Sequence, residues 1–97
     1  MATEFSNEPD EKRYAMRVDG AQVAVLDYSI LGTAISLTRA FTIPSQRGKG
    51  LAGQLVAYAV DDIEATTSLR IVPMCWYVAE WFDAHPERRH LLERQAG

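Results

Sequence analysis

From Tyr14 to Val18 apolar and polar residues alternate weakly, and Asp19-Gly20 follows. That dipeptide closes tight hairpins, because both of its positions tolerate positive φ. Val23 to Tyr28 supplies the return strand. Leu31-Gly32 marks a second reversal, and Ala34 to Ile43 reads as a third strand, with Ile35, Leu37 and Phe41 or Ile43 directed inward. Pro44 ends it, since proline cannot donate to a ladder. Beyond Gly48 the period lengthens. Leu51, Ala52, Leu55, Val56, Ala59, Val60 and Ile63 recur at helical spacing, with Lys49, Gln54, Asp61 and Glu64 on the other faces, which predicts the best helix of the chain. Thr66-Thr67-Ser68 breaks it. Leu69 to Val72 is a short buried strand ended by Pro73, Trp76 to Ala84 a second helix ending near His85-Pro86, and Glu87 to Gln95 a short final helix.

The order is β-β-β-α-β-α. The early hairpins require antiparallel pairing, and the unit from Ile35 to Val72 requires a parallel, right-handed crossover if both strands share a sheet. The expected fold is therefore α/β of the α+β type, with a mixed sheet of about four strands and two main helices. Met1 to Lys12, polar and carrying Pro9, reads as a flexible tail with at most a short edge segment around Phe5. Residues 13–97 form a single domain.

Composition narrows the function. The 97 residues are 47% hydrophobic and 24% charged, the balance of one globular domain. Its core is modest, so a large ligand pocket must be open or completed by the ligand. The net charge is −3 without a block of like charges, which points away from nucleic acid. No apolar run reaches the length of a membrane span, and the polar N-terminus is not a secretory signal. The single cysteine, Cys75, allows no intrachain disulfide and no zinc cluster of the usual spacing. A cytoplasmic protein, bound neither to membrane nor to metal, fits these features.

The chemistry concentrates in Gly48, Gly50 and Gly53, between a predicted strand and the best helix. The first turn of a helix has N–H groups without intrahelical partners and carries the positive end of the dipole. Glycines admit a diphosphate close to the backbone, and Arg47 and Lys49 add charge at the rim. A P-loop would need Ser or Thr after Gly-Lys, where Gly50 stands. Gly48-Lys49-Gly50-Leu51-Ala52-Gly53 matches the dinucleotide pattern G-x-G-x-x-G, but the acidic residue expected about 20 positions on would fall near Pro73-Met74-Cys75, where there is none. The third motif fits fully. Arg47-Gly48-Lys49-Gly50-Leu51-Ala52 fills every constrained position of the coenzyme A pattern Q/R-x-x-G-x-G/A of the GNAT superfamily. The alternative is a loop that only turns the chain into its helix.

Two further segments, Pro73-Met74-Cys75-Trp76-Tyr77-Val78 and His85-Pro86-Glu87, stand in order behind that loop. From about Tyr14 to Leu92 the chain resembles the minimal GNAT-like N-acetyltransferase domain family, a trimmed GNAT fold. The resemblance implies an N-acetyltransferase that moves acetyl from acetyl-CoA to a primary amine, a small molecule or a protein lysine or N-terminus. It implies coenzyme A in the splay between Ile35–Ile43 and Leu69–Val72, its diphosphate on Arg47, Gly48, Lys49, Gly50, Leu51 and Ala52, and its pantetheine arm on the backbone of Phe41, Thr42 and Ile43. Where the family often places a histidine and an acidic or polar residue, this chain has Ala40-Phe41-Thr42-Ile43. A carboxylate base is missing there, so a non-catalytic coenzyme A-binding module or an interaction domain is the second reading. Acceptor and oligomeric state are open.

Two residues are catalytic candidates. Cys75 follows a strand and precedes a helix, where a thiol can be activated or can simply pack in the core. Tyr77, on the first turn of that helix, stands where the resemblance implies a general acid, with a half-buried aromatic as the alternative. His85 suits a helix terminus and His90 reads as a surface residue. Asp61, Asp62 and Glu64 read as a solvated helix face, and Trp81 and Phe82 as core or cleft wall.

Overall fold

The computed structural model describes residues 2–94. Its strands are β1 (Thr3–Glu8), β2 (Arg13–Val18), β3 (Ala21–Leu31), β4 (Ala34–Thr42) and β5 (Arg70–Pro73). The helices are α1 (Leu51–Thr66) and α2 (Trp76–Ala84), with a 3-10 turn at Pro44–Gln46 and a C-terminal 3-10 helix at Pro86–Leu92. The sheet order is β1-β2-β3-β4-β5, antiparallel as far as β4 and parallel between β4 and β5. This is the mixed α+β sheet expected, with one strand more.

The additional strand is the edge segment around Phe5, and it takes up Thr3–Glu8 of the stretch that otherwise reads as a flexible tail. Thr3 to Glu8 pairs in register with Val18 to Arg13. Phe5 stacks on Tyr58 of α1, with ring centroids 5.0 Å apart. Tyr28 donates its hydroxyl to Asn7 Oδ1 at 2.8 Å, and Glu8 accepts from both Arg13 and Arg17 at 2.8 Å. Pro9 lies in the connection to β2, where the N–H of Lys12 bonds to its carbonyl. Each anchor is a residue distant in sequence or across a turn, so a local window sees only a polar stretch.

The two other hairpins use the dipeptides that announce them. Asp19 and Gly20 sit at φ 52° and 83°, the type I′ geometry for which Asp-Gly is suited. Gly32 takes φ 62° at the β3–β4 turn. The core gathers Tyr14, Met16, Leu26, Leu37 and Ile71 from the sheet, Leu55, Val56, Ala59, Val60 and Ile63 from α1, and Val78 and Phe82 from α2.

α1 stops where Thr67 Oγ1 bonds back to the Ile63 carbonyl at 2.7 Å, competing with helix continuation. α2 stops at His85, whose ring stacks on Trp81 at 4.0 Å. The short final helix expected over Glu87–Gln95 is a 3-10 helix that starts at Pro86, and Gln95 lies outside the described residues. Arg88 holds it to α1 by reaching both Asp61 (2.8 Å) and Glu64 (2.7 Å), and Leu91 is wholly buried beneath it. No helix of the described residues is long and apolar enough to cross a membrane.

One irregularity positions the site. The β3–β4 register shifts between Asp27, opposite Arg39, and Tyr28, opposite Leu37, leaving Thr38 as a bulge. Bulges bend and twist a strand. β4 and β5 pair only from Ala34–Arg70 to Leu37–Pro73, so the bulge falls directly after the last pair. The last bridge across is the N–H of Cys75 donating to the Leu37 carbonyl at 3.0 Å. Beyond it, β4 runs on to Thr42 without a neighbour on that side.

Candidate cofactor site

The open seam leads from Leu37 to the glycine loop. Gly48 and Gly50 both adopt positive φ, 83° and 74°, a conformation that residues with a Cβ rarely take. Gly50 caps α1 with no side-chain hydrogen bond, and the first turn has no acidic residue. The orphan N–H groups and the positive end of the dipole therefore face outward without internal compensation. A Cβ built on Gly48 or Gly50 would meet nothing within 4 Å, so the backbone is open to an approaching ligand.

Seam and loop share one pocket of about 340 Å³. Ala40, Phe41 and Thr42 of β4 form one wall, and Gln46, Arg47, Gly48 and Gly50 form the loop side. Leu51 and Ala52 of α1 and Trp76 and Tyr77 of α2 complete it. Arg47 is the one charged residue of the lining. Its Nε donates to the Thr42 carbonyl at 3.0 Å, and its guanidinium lies 5.6 Å from the Phe41 ring centre, with Arg39 at 5.0 Å. Phe41 thus carries two cations by cation–π attraction.

Most of the residues expected to bind the cofactor line this pocket: Phe41, Thr42, Arg47, Gly48, Gly50, Leu51 and Ala52. Two do not. Ile43 spends its N–H on the Val23 carbonyl at 2.9 Å, so this donor is committed to the sheet. Lys49 turns its Nζ to Gln46 Oε1 at 3.2 Å. Both line a neighbouring hollow of about 390 Å³ on the other side of Leu51, against Met16, Val18 and Val23. Ala40, Gln46 and Trp76 belong to the pocket and were not singled out by the sequence. Gln46 and Trp76 adjoin motif residues, but only the fold shows which way each faces.

Cys75 stands at the N-cap of α2 without a side-chain capping bond. It is half-buried against the core, at the closed end of the seam through its bond to Leu37. Tyr77 lines the pocket with its ring packed on the core. Trp76 is 71% exposed and leans edge-on against Tyr77, whereas Trp81 and Phe82 are core. His85 donates from Nδ1 to the Trp81 carbonyl, 2.7 Å away, a helix-end role. His90 pairs with Glu64 at 2.9 Å, on the surface. Among the described residues no carboxylate lines the pocket, and none form a cluster of three His, Cys, Asp or Glu suited to a metal.

No curated protein sequence matches the chain. A family model described as GCN5-related N-acetyl-transferase matches residues 13–91, a span that runs from the start of β2 through seam, glycine loop and α2 into the C-terminal helix. With most of the sequence matched and the mixed, seam-split sheet in place, the chain belongs to the GCN5-related N-acetyltransferase family.

Proposed function

We propose that the pocket binds acetyl-CoA and that the protein transfers its acetyl group to a primary amine. One observation carries this reading: the β4 edge that loses its partner after Leu37 leads directly to an uncapped, glycine-started helix. An extended amide-bearing arm can take up the vacant edge at Phe41 and Thr42 as a strand would, while a diphosphate meets the first-turn N–H groups of α1. Arg47 leaves Thr42 for the phosphates, freeing that carbonyl for the arm. Lys49 adds charge at the rim from the neighbouring hollow.

Acetyl-CoA supplies an activated acyl thioester; the chain positions it. The thioester then lies towards the closed end of the seam, near Cys75. An attacking amine must be neutral, and a lysine-like amine has a pKa of about 10.4. Among the described residues no lining carboxylate takes its proton, so solvent does, and coenzyme A leaves as a thiolate that solvent reprotonates. The same lack of a carboxylate favours, as second reading, a module that holds acyl-CoA without turning it over. The lone cysteine agrees with a reducing cytoplasm.

Calorimetric titration with acetyl-CoA, with ATP and NAD as controls, tests the site. Selective, saturable binding is expected, and a folded protein that binds none of the three removes the reading. Turnover with an amine panel then separates transferase from binding module.

A further inference from the structure

Gly53 is the third residue of α1, the best-formed helix of the chain. Its backbone is ordinary right-handed helix, outside the positive-φ set, so its conformation does not call for glycine. Inside a helix glycine is a poorer former than alanine. What stands in the way of a side chain there is one atom. A Cβ on Gly53 would lie 3.3 Å from the hydroxyl oxygen of Tyr77. That hydroxyl has no hydrogen-bond partner among the described residues, although the Tyr77 ring packs on the core and lines the pocket. A phenol O–H is therefore delivered, unpartnered, against the first turn of α1, beside the N–H groups that the helix cannot satisfy.

From this juxtaposition we infer that Tyr77 is a phosphate-binding residue, its hydroxyl donating to a diphosphate oxygen seated on the first turn of α1. Gly53 is the space that admits it. Tyr77 then serves the anionic end of acetyl-CoA and does not protonate the thiolate at the acyl end. The inference rests on the acetyl-CoA reading above and assigns within it a ligand that the glycine loop alone does not provide. An O–H suits this place better than another cation, because it donates in the fixed geometry of a packed ring and needs no counter-charge when the pocket is empty.

Four proteins decide it: wild type, Tyr77→Phe, Gly53→Ala and the double variant, each checked for folding by circular dichroism. Tyr77→Phe removes one atom, and Gly53→Ala raises helix propensity, so both are expected to fold. Dissociation constants are measured for acetyl-CoA and for acetylpantetheine, which has the same thioester arm and no diphosphate. Tyr77→Phe is expected to weaken acetyl-CoA by roughly tenfold, the scale of one hydrogen bond to a charged group, and to leave acetylpantetheine unchanged. Gly53→Ala is expected to mimic it by displacing the hydroxyl, and to add nothing in the Tyr77→Phe background, where no hydroxyl remains to displace. Unchanged acetyl-CoA affinity in Tyr77→Phe overturns the inference, as does an equal loss for both ligands. So does a kcat that falls while acetyl-CoA affinity holds, since that is the mark of a general acid. Wild-type protein that fails to bind acetyl-CoA overturns the acetyl-CoA reading itself.

Discussion

Gly50 starts α1 at φ 74° with open space where a Cβ would stand. Valine there must adopt a conformation costing about 1–3 kcal/mol, and its side chain would stand where a diphosphate approaches. Gly50→Val is expected to lower the melting temperature and weaken acetyl-CoA binding. Gly32, at φ 62° and equally unobstructed, is the matched control: Gly32→Val should destabilise comparably and leave affinity unchanged. If both variants lose affinity alike, the effect belongs to stability alone. A second single residue tests the core. Tyr14, 2% exposed, donates to Asp62 Oδ2 at 2.6 Å. Burial, then this bond, holds its phenol well above its ordinary range. In the unfolded chain it titrates near pH 10, so the stability it contributes is complete below that and is lost as pH rises beyond it. Tyr14→Phe should cost about 1–3 kcal/mol at neutral pH and reduce the alkaline loss seen in wild type, as read by urea denaturation. At this scale the glycine loop was legible, because its residue types answer to backbone demands. Ile43 and Lys49, also expected among the cofactor contacts, line the neighbouring hollow instead of this pocket, because nothing in the sequence states which partner an N–H or an ammonium has already taken.

At the level of elements, β1 is held by a clasp of Glu8 between Arg13 and Arg17. Their hydrogen bonds, Arg13 first, hold the Glu8 carboxyl below its usual range. A depressed carboxyl contributes stability above its unfolded pKa of about 4.3 that is lost as pH falls through the folded value. Acidification below pH 4, or Glu8→Gln at neutral pH, is expected to release β1 before the rest of the sheet, with earlier amide exchange at Thr3–Glu8. Simultaneous exchange across β1 to β4 would show that the clasp is not what holds the strand. Salt should act in the same direction, because these groups are partly exposed. The hairpins at Asp19-Gly20 and Leu31-Gly32 and the periodicity of α1 were readable, being local. β1 was readable only as a short edge segment around Phe5, since its apolar contact is Phe5 alone and its partners lie beyond a turn. The C-terminal helix was readable as a short helix, and Arg88 and Leu91 fix it from α1 and the core.

The whole molecule measures 40 × 29 × 19 Å, and its least dimension holds a sheet and one layer of helices. A domain this thin cannot enclose its ligand, as its length already implied, and the pocket opens at a seam. Fold class was legible because three motifs stand in order along the chain, and the first two border the candidate pocket. Pocket membership of Ala40, Gln46 and Trp76 was not, because it depends on a bulge at Thr38 that no residue type announces. With no carboxylate of the described residues in the lining, kcat/KM for an amine of pKa about 10 is expected to rise roughly tenfold per pH unit between 7 and 9, following the neutral fraction. A plateau near neutrality would reveal a base that the pocket lining lacks.

The four-pair junction of β4 with β5 also bears on how the protein breathes. The meander β1–β4 is knit by long antiparallel ladders, whereas the last quarter of the chain joins it through that short junction, the core and the Arg88 clamp. Opening there should cost less than global unfolding, as weakly knit segments do. If acetyl-CoA takes up the vacant edge as proposed, it would touch both sides at once and act as a dowel. Saturation at 100 times its dissociation constant would add about 2.7 kcal/mol, and amides of β5 and α2 should slow most. The small domain would then owe part of its mechanical wholeness to the molecule it binds.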